Sequence, residues 1–127
     1  MVNLYPIDIT QILQGKKQTL HYLKIAKMER MDFEQVCKLI AKRSTLTEDE
    51  VEFALGEVRT VIIDNLKMGR GTELGPLGSV EISVEAASKP SEEELDQSTI
   101  KRMKLIFKPS AKIKQALKNV RYTIKRK

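Results

Sequence analysis

The sequence predicts an α+β fold: an N-terminal helical hairpin, a three-stranded antiparallel sheet drawn out into an extended β-arm, and a C-terminal helix. Three observations carry that reading. Apolar residues at Val51, Ala54, Leu55, Val58, Val61, Ile62 and Leu66 recur with the i, i+3, i+4, i+7 spacing of one helical face. The period then changes to two, with Val80, Ile82 and Val84 alternating with Glu81, Ser83 and Glu85. Alternation resumes at Met103, Leu105 and Phe107, and Pro109 suits the first turn of a helix that follows.

Residues 1–28 carry the least regular pattern. Val2, Leu4 and Ile7 precede a polar stretch around Gly15, and Leu20, Tyr22, Leu23 and Ile25 alternate loosely. Two short strands joined by a turn near Gly15 are expected, with Pro6 keeping the first at a sheet edge. Residues 1–30 are read as an extension packing on the core.

Asp32 can cap a short helix running to Arg43, with Gln35 at its third helical position. Phe33, Val36, Cys37 and Ile40 form its inner stripe, and Ser44–Leu46 is the turn. Thr47 caps the long helix that follows, Glu50 completes a capping box, and Leu46 and Val51 occupy the staple positions. Glu48 and Asp49 in the first turn and Lys67 in the last complement the helix dipole. Gly69 ends the helix. Thr72–Leu74 is a short strand, Gly75–Gly78 the turn, and Ser79–Ala86 the outgoing strand. Ser88–Ser98 has no apolar period and reads as a loop or flexible arm tip before Ile100–Phe107 returns. Ile113, Ala116, Leu117 and Val120 mark the last helix, and Tyr122 and Ile124 leave room for one more strand.

A chain of 127 residues is expected to form one domain with one modest core. Its 41% apolar content fits a globular chain, and without Trp that core falls to Leu, Ile and Val. No apolar run approaches the ~20 residues that span a bilayer. No secretory leader pattern is seen, and the single Cys37 suits a reducing compartment, as a small buried hydrophobe. A cytoplasmic protein is expected.

The net charge is +6, and its distribution is uneven. From Lys101 to Lys127 there are eleven Lys or Arg and no acid, whereas the first hundred residues carry twelve basic and seventeen acidic residues. A basic segment of this kind is the footprint of a polyanion partner. The bland alternative is a solvated tail.

Nothing at catalytic spacing is found. His21 is the only histidine and has no Cys or carboxylate cluster beside it at ligand spacing, so no metal site is expected. There is no phosphate loop, and Glu92–Asp96 lie in the arm, where acid–base geometry is not held. No enzyme, cofactor or small-molecule substrate is expected.

One chain cannot cover both faces of a three-stranded sheet with three short helices. Val61, Ile62, Ile63 and Leu66 widen the stripe of the long helix beyond what Val36 and Ile40 can cover. Val58, Val61, Ile62 and Leu66, with Phe107, are expected to meet a second copy across a twofold interface.

The order of elements and two local motifs resemble the HU/IHF family of bacterial histone-like DNA-binding proteins. The first motif is Leu74-Gly75-Pro76-Leu77-Gly78-Ser79-Val80-Glu81, similar to the glycine-bracketed turn ahead of that family's arm. The second is Phe107-Lys108-Pro109-Ser110 followed by Lys114, Ala116, Leu117 and Lys118. The likeness covers residues 31–120, with the arm near 81–101 and a basic tail at 121–127. The flanks resemble the additions of an elongated HU-like branch of Bacteroidetes type. The resemblance implies an IHF-like fold, an intertwined homodimer, a nucleoid location, and double-stranded DNA held in the minor groove between two arms. A proline at the arm tip would wedge between base pairs, and Pro90 is the candidate.

The arm departs from that pattern. Glu81 to Ile100 holds six acids and one Lys. Like charge beside phosphate is unfavourable, while each phosphate met by Lys or Arg raises affinity through counterion release. The expected DNA-binding set is therefore the floor: Lys101, Arg102 and Lys104 on the returning strand, Lys112, Lys114 and Lys118 on the last helix, and backbone amides at Gly78 and Ser79. Two functions stay open: sequence-tolerant DNA binding through phosphates, with bending, or a protein-interaction module that has lost DNA wrapping.

Overall fold

A computed structural model describes residues 1–126; Lys127, the end of the expected basic tail, lies outside the described residues. The chain is α+β, but the expected order of elements is overturned at both ends. It opens on strands β1 (Val2–Leu13) and β2 (Lys16–Ile25), not on helices. Helices α1 (Phe33–Lys42) and α2 (Glu48–Lys67) come next, then β3 (Thr72–Glu73), β4 (Gly78–Ala86) and β5 (Ile100–Pro109). Helix α3 (Ala111–Lys118) does not close the fold, because strand β6 (Tyr122–Ile124) follows it.

Contacts divide the chain into two compact units, one of Met1–Asp32 with the segment from Ala116 onward, the other Phe33–Gln115. The first unit is a mixed sheet in the order β2-β1-β6. Strands β1 and β2 pair antiparallel from Leu4 opposite Ile25 to Leu13 opposite Lys16. Gln14 and Gly15, at φ 53° and 77°, make the two-residue turn between them. Positive φ at both central positions matches the twist of the flanking strands, and glycine takes it without strain. Strand β6 runs parallel to β1, from Val2 opposite Tyr122 to Leu4 opposite Ile124.

Two features blur the alternation along these strands. Half-buried positions on β1 change phase across Pro6, from Val2 and Leu4 to Ile7 and Ile9, so no single alternation runs its length. Strand β1 is also central rather than an edge, though only over Val2–Leu4. Pro6 lies past that pairing, where one side of β1 has no strand beside it and the missing N–H breaks no ladder.

The second unit begins with the α1–α2 pair. The capping box of α2 is complete: Glu50 N–H donates to Thr47 Oγ1 at 3.2 Å, and Thr47 N–H donates to Glu50 Oε1 at 3.1 Å. At the other end Gly69 N–H donates to Leu66 O and Arg70 N–H to Asn65 O, at 3.1 and 2.8 Å, a Schellman closure. Asn65 Nδ2 donates to Thr72 Oγ1 at 2.9 Å and ties the helix to β3. Strand β4 is central in an antiparallel sheet, order β3-β4-β5.

Cys37, Val51 and Val80 are the buried apolar side chains among the described residues. Burial holds the Cys37 thiol above its ordinary range, with Glu52 and Glu48 adding to the effect. Large apolar side chains on β4 and β5 stay open to solvent, as do several on α2.

Candidate functional site

The glycine-bracketed turn is built as a 3-10 turn over Gly75–Leu77. Leu74 N–H donates to Gly78 O at 2.7 Å, and Ser110 N–H donates to Leu77 O at 3.0 Å. Gly78 sits at φ 132°, and a Cβ there would collide with the Lys108 carbonyl oxygen, Pro109 Cα and Ser110 N. Both the backbone angle and the close approach therefore demand glycine. Register places Gly78 opposite Pro109 and Ser79 opposite Lys108. The turn thus meets the chain just ahead of α3, beside a cavity of about 280 Å³ lined by Glu73, Gly75, Gly78, Ser79, Lys108 and Ser110.

Beyond the turn, β4 and β5 form a two-faced ribbon. Val80, Ile82 and Val84 pair with Phe107, Leu105 and Met103 on the apolar face. Glu81, Ser83 and Glu85 pair with Ile106, Lys104 and Arg102 on the other. The register skips Lys101 between Glu85 and Ala86, so Lys101 is the extra residue of a bulge.

Polar-face cations are not free. Arg102 Nε and Lys104 Nζ both reach Glu85 Oε2, at 2.7 and 2.9 Å. Lys108 Nζ reaches Glu81 Oε2 at 2.9 Å. Hydrogen bonds from Lys104 first, and Arg102 second, hold the Glu85 carboxyl below its ordinary value. Among the described residues Lys101, Lys112, Lys114 and Lys118 form no ion pair. On α3 the helical repeat puts Lys114 and Lys118 on one face and Lys112 roughly opposite, near 200° from Lys114. The expected set is thus brought together only in part: Arg102 and Lys104 share one carboxylate, Lys101 stands at the bulge, and the α3 lysines diverge.

The arm tip is more ordered than a flexible loop. Two 3-10 turns, Glu92–Glu94 and Gln97–Thr99, follow Pro90. Asp96 Oδ1 accepts from Ser98 N at 2.9 Å and from its hydroxyl, and these bonds lower the Asp96 carboxyl pKa. Thr99, buried to 6% exposure, donates its hydroxyl to Asp96 O at 2.7 Å, and its own carbonyl accepts from Ala87 N–H at 2.8 Å. The Asp-x-Ser spacing of an Asx turn was the available signal for this closure.

Sequence reasoning omitted Glu81, Glu85 and Lys108 from the site. Their pairing depends on cross-strand register, and the long connection between β4 and β5 leaves that register unfixed in the sequence.

Val61 and Phe107 are about half exposed, at 49% and 51%, and Val58 is exposed; Ile62 and Leu66 are half-buried. Leu66, Ile82, Met103 and Leu105, with Lys67 and Lys104, line an open groove of about 490 Å³. Among the described residues no group of His, Cys, Asp and Glu could hold a metal ion, and no helix is long and apolar enough to cross a membrane.

The profile of the HU domain fused to wHTH, Ig, or glycine-rich motif matches residues 3–126, reaching into the N-terminal strands that the sequence resemblance left outside. No curated protein matches the chain. A crystal structure of a candidate bacterial DNA binding protein from Bacteroides vulgatus ATCC 8482 matches with a TM-score of 0.65 at 13% identity. It covers 98% of this chain, which spans only 49% of that longer one. At that identity the likeness concerns the fold alone. The match over nearly the whole chain settles the family: this protein belongs to the HU-HIG family, the HU domains fused to wHTH, Ig or glycine-rich motifs.

Proposed function

We propose that this HU domain binds double-stranded DNA through phosphate contacts, with little sequence preference, and acts as an architectural protein of the nucleoid. The observation that carries the reading is the acid-free run past Ile100, where eleven Lys or Arg fall on β5, α3 and the tail of an HU domain. The Bacteroides vulgatus neighbour, described as a candidate DNA binding protein, supports it. Lys101, Lys112, Lys114 and Lys118 are the cations ready to meet phosphates, Arg102 and Lys104 join once released from Glu85, and the amides at Gly78 and Ser79 add uncharged donors. Pro90 is the wedge through which the arm would bend DNA. No catalytic step, cofactor, small-molecule substrate or membrane is part of this function.

The working unit is a homodimer. Exposed Val58, Val61 and Phe107, and the scarcity of buried apolar side chains, support burial of these surfaces against a second copy. A fluorescence-anisotropy titration of duplex DNA over several salt concentrations tests the function. The expected result is binding that weakens log-linearly with salt, and a shallower slope after Lys112→Glu and Lys114→Glu. No binding at low salt rejects the reading.

A second reading keeps the fold and drops the DNA. The acidic tip at Glu92–Glu94 favours a basic protein partner for the arm. Capture of a protein that survives nuclease treatment, together with no duplex binding, selects it.

A further inference from the structure

Glu81 and Glu85 lie four residues apart on β4 and so project from the same face of the ribbon. That face also carries Arg102, Lys104 and Lys108 on β5. A single oxygen, Glu85 Oε2, receives both the Arg102 Nε–H at 2.7 Å and the Lys104 ammonium at 2.9 Å. Glu81 Oε2 receives the Lys108 ammonium at 2.9 Å. These are the donors, and the distances, that a phosphate oxygen requires.

We propose that Glu81 and Glu85 are built-in competitors for DNA phosphate, which hold Arg102, Lys104 and Lys108 and thereby lower the affinity and the salt dependence of the β-arm. The inference rests on the DNA-binding reading above. All three pairs are open to solvent, so they are weak and exchangeable, and a phosphate can displace either carboxylate. Each phosphate contact releases a cation condensed on DNA, but a carboxylate set free by the exchange draws a cation from solution, so the net release is smaller than for a free cation. Displacement also leaves a carboxylate beside the phosphate, and like charge at that distance is unfavourable. Binding therefore falls first to cations without an acid, Lys101 at the bulge and Lys112 and Lys114 on α3. The ribbon's polar face joins only when DNA outcompetes both acids.

The test uses the full chain and a fluorescent duplex, with anisotropy read at several salt concentrations. Glu81→Gln, Glu85→Gln and the double variant are compared with wild type and with Glu57→Gln, which removes one negative charge from α2 at a distance from the ribbon in sequence. Glutamine keeps the shape of the side chain, and Glu81→Ser with Glu85→Ser repeats the comparison without its length. The expected result is binding by the double variant roughly tenfold tighter at about 0.1 M salt, with a log–log slope steeper by about 1 to 2, while Glu57→Gln stays near wild type. A double variant within twofold of Glu57→Gln overturns the inference while wild-type binding keeps the function. Binding by the double variant where wild type binds nothing even at low salt supports the screening and rejects DNA binding by the unaltered chain. No binding by any of them at low salt overturns both.

Discussion

The carbonyl oxygen of Lys108 occupies the space where a side chain on Gly78 would begin. The glycine turn and the end of β5 are thereby locked together at the root of the arm. Lys108 is also held from its other end, through the ion pair with Glu81.

Glycine at this position is accordingly irreplaceable. Gly78→Ala adds a Cβ at φ 132° and forces it into Lys108, Pro109 and Ser110 backbone. The expected loss of stability is about 3 kcal/mol or more, since strained φ and steric conflict add. Urea unfolding at fixed protein concentration measures it, and a midpoint unchanged from wild type contradicts the close approach of Gly78 to the Lys108 carbonyl.

Thr47→Ala removes one half of the reciprocal cap on α2. The Glu50 N–H loses its acceptor, while the backbone N–H at position 47 still donates to the Glu50 carboxylate. A destabilisation of about 1 kcal/mol is expected. Thr47→Ser retains the hydroxyl and should recover most of it in the same denaturation series.

Glu85 is one group through which stability depends on pH. Its folded pKa is lowered, so the unfolded chain binds the proton more readily. The stabilisation is present at neutral pH, above the unfolded value, and disappears as pH falls through the lower folded value. A carboxyl-detected NMR titration should find the Glu85 midpoint in wild type below that of Glu85 in an Arg102→Gln, Lys104→Gln double variant. Raising the salt to about 1 M should move the wild-type midpoint upward, because exposed pairs are screened. A Glu85 midpoint left unchanged by the double substitution at low salt overturns the Arg102 and Lys104 contacts.

A charge placed on the open stripe of α2 tests the second copy. Wild type is expected to scatter with a mass near twice 14.5 kDa at micromolar concentration. Val61→Glu buries a charge in the proposed interface and should shift the mass to the single chain. A wild-type mass of one chain rejects the dimer outright.

Sequence alone determined the elements whose signals are local. The Thr47–Glu50 cap, the Gly69 stop, the Gly78 turn and the alternation of Val80, Ile82 and Val84 are each written within a few residues, because capping, turn conformation and strand pleat are short-range properties. The concentration of cations past Ile100 was equally visible. Tertiary structure decided the rest. Pairing of β1 with β6 joins the two ends of the chain, and no periodic pattern encodes a partner more than a hundred residues away. The capture of Arg102 and Lys104 by Glu85 likewise depends on how β4 and β5 are registered across a long, bulged arm. Composition counts those charges, but whether a cation faces DNA or a neighbouring carboxylate is fixed only when distant strands are set side by side.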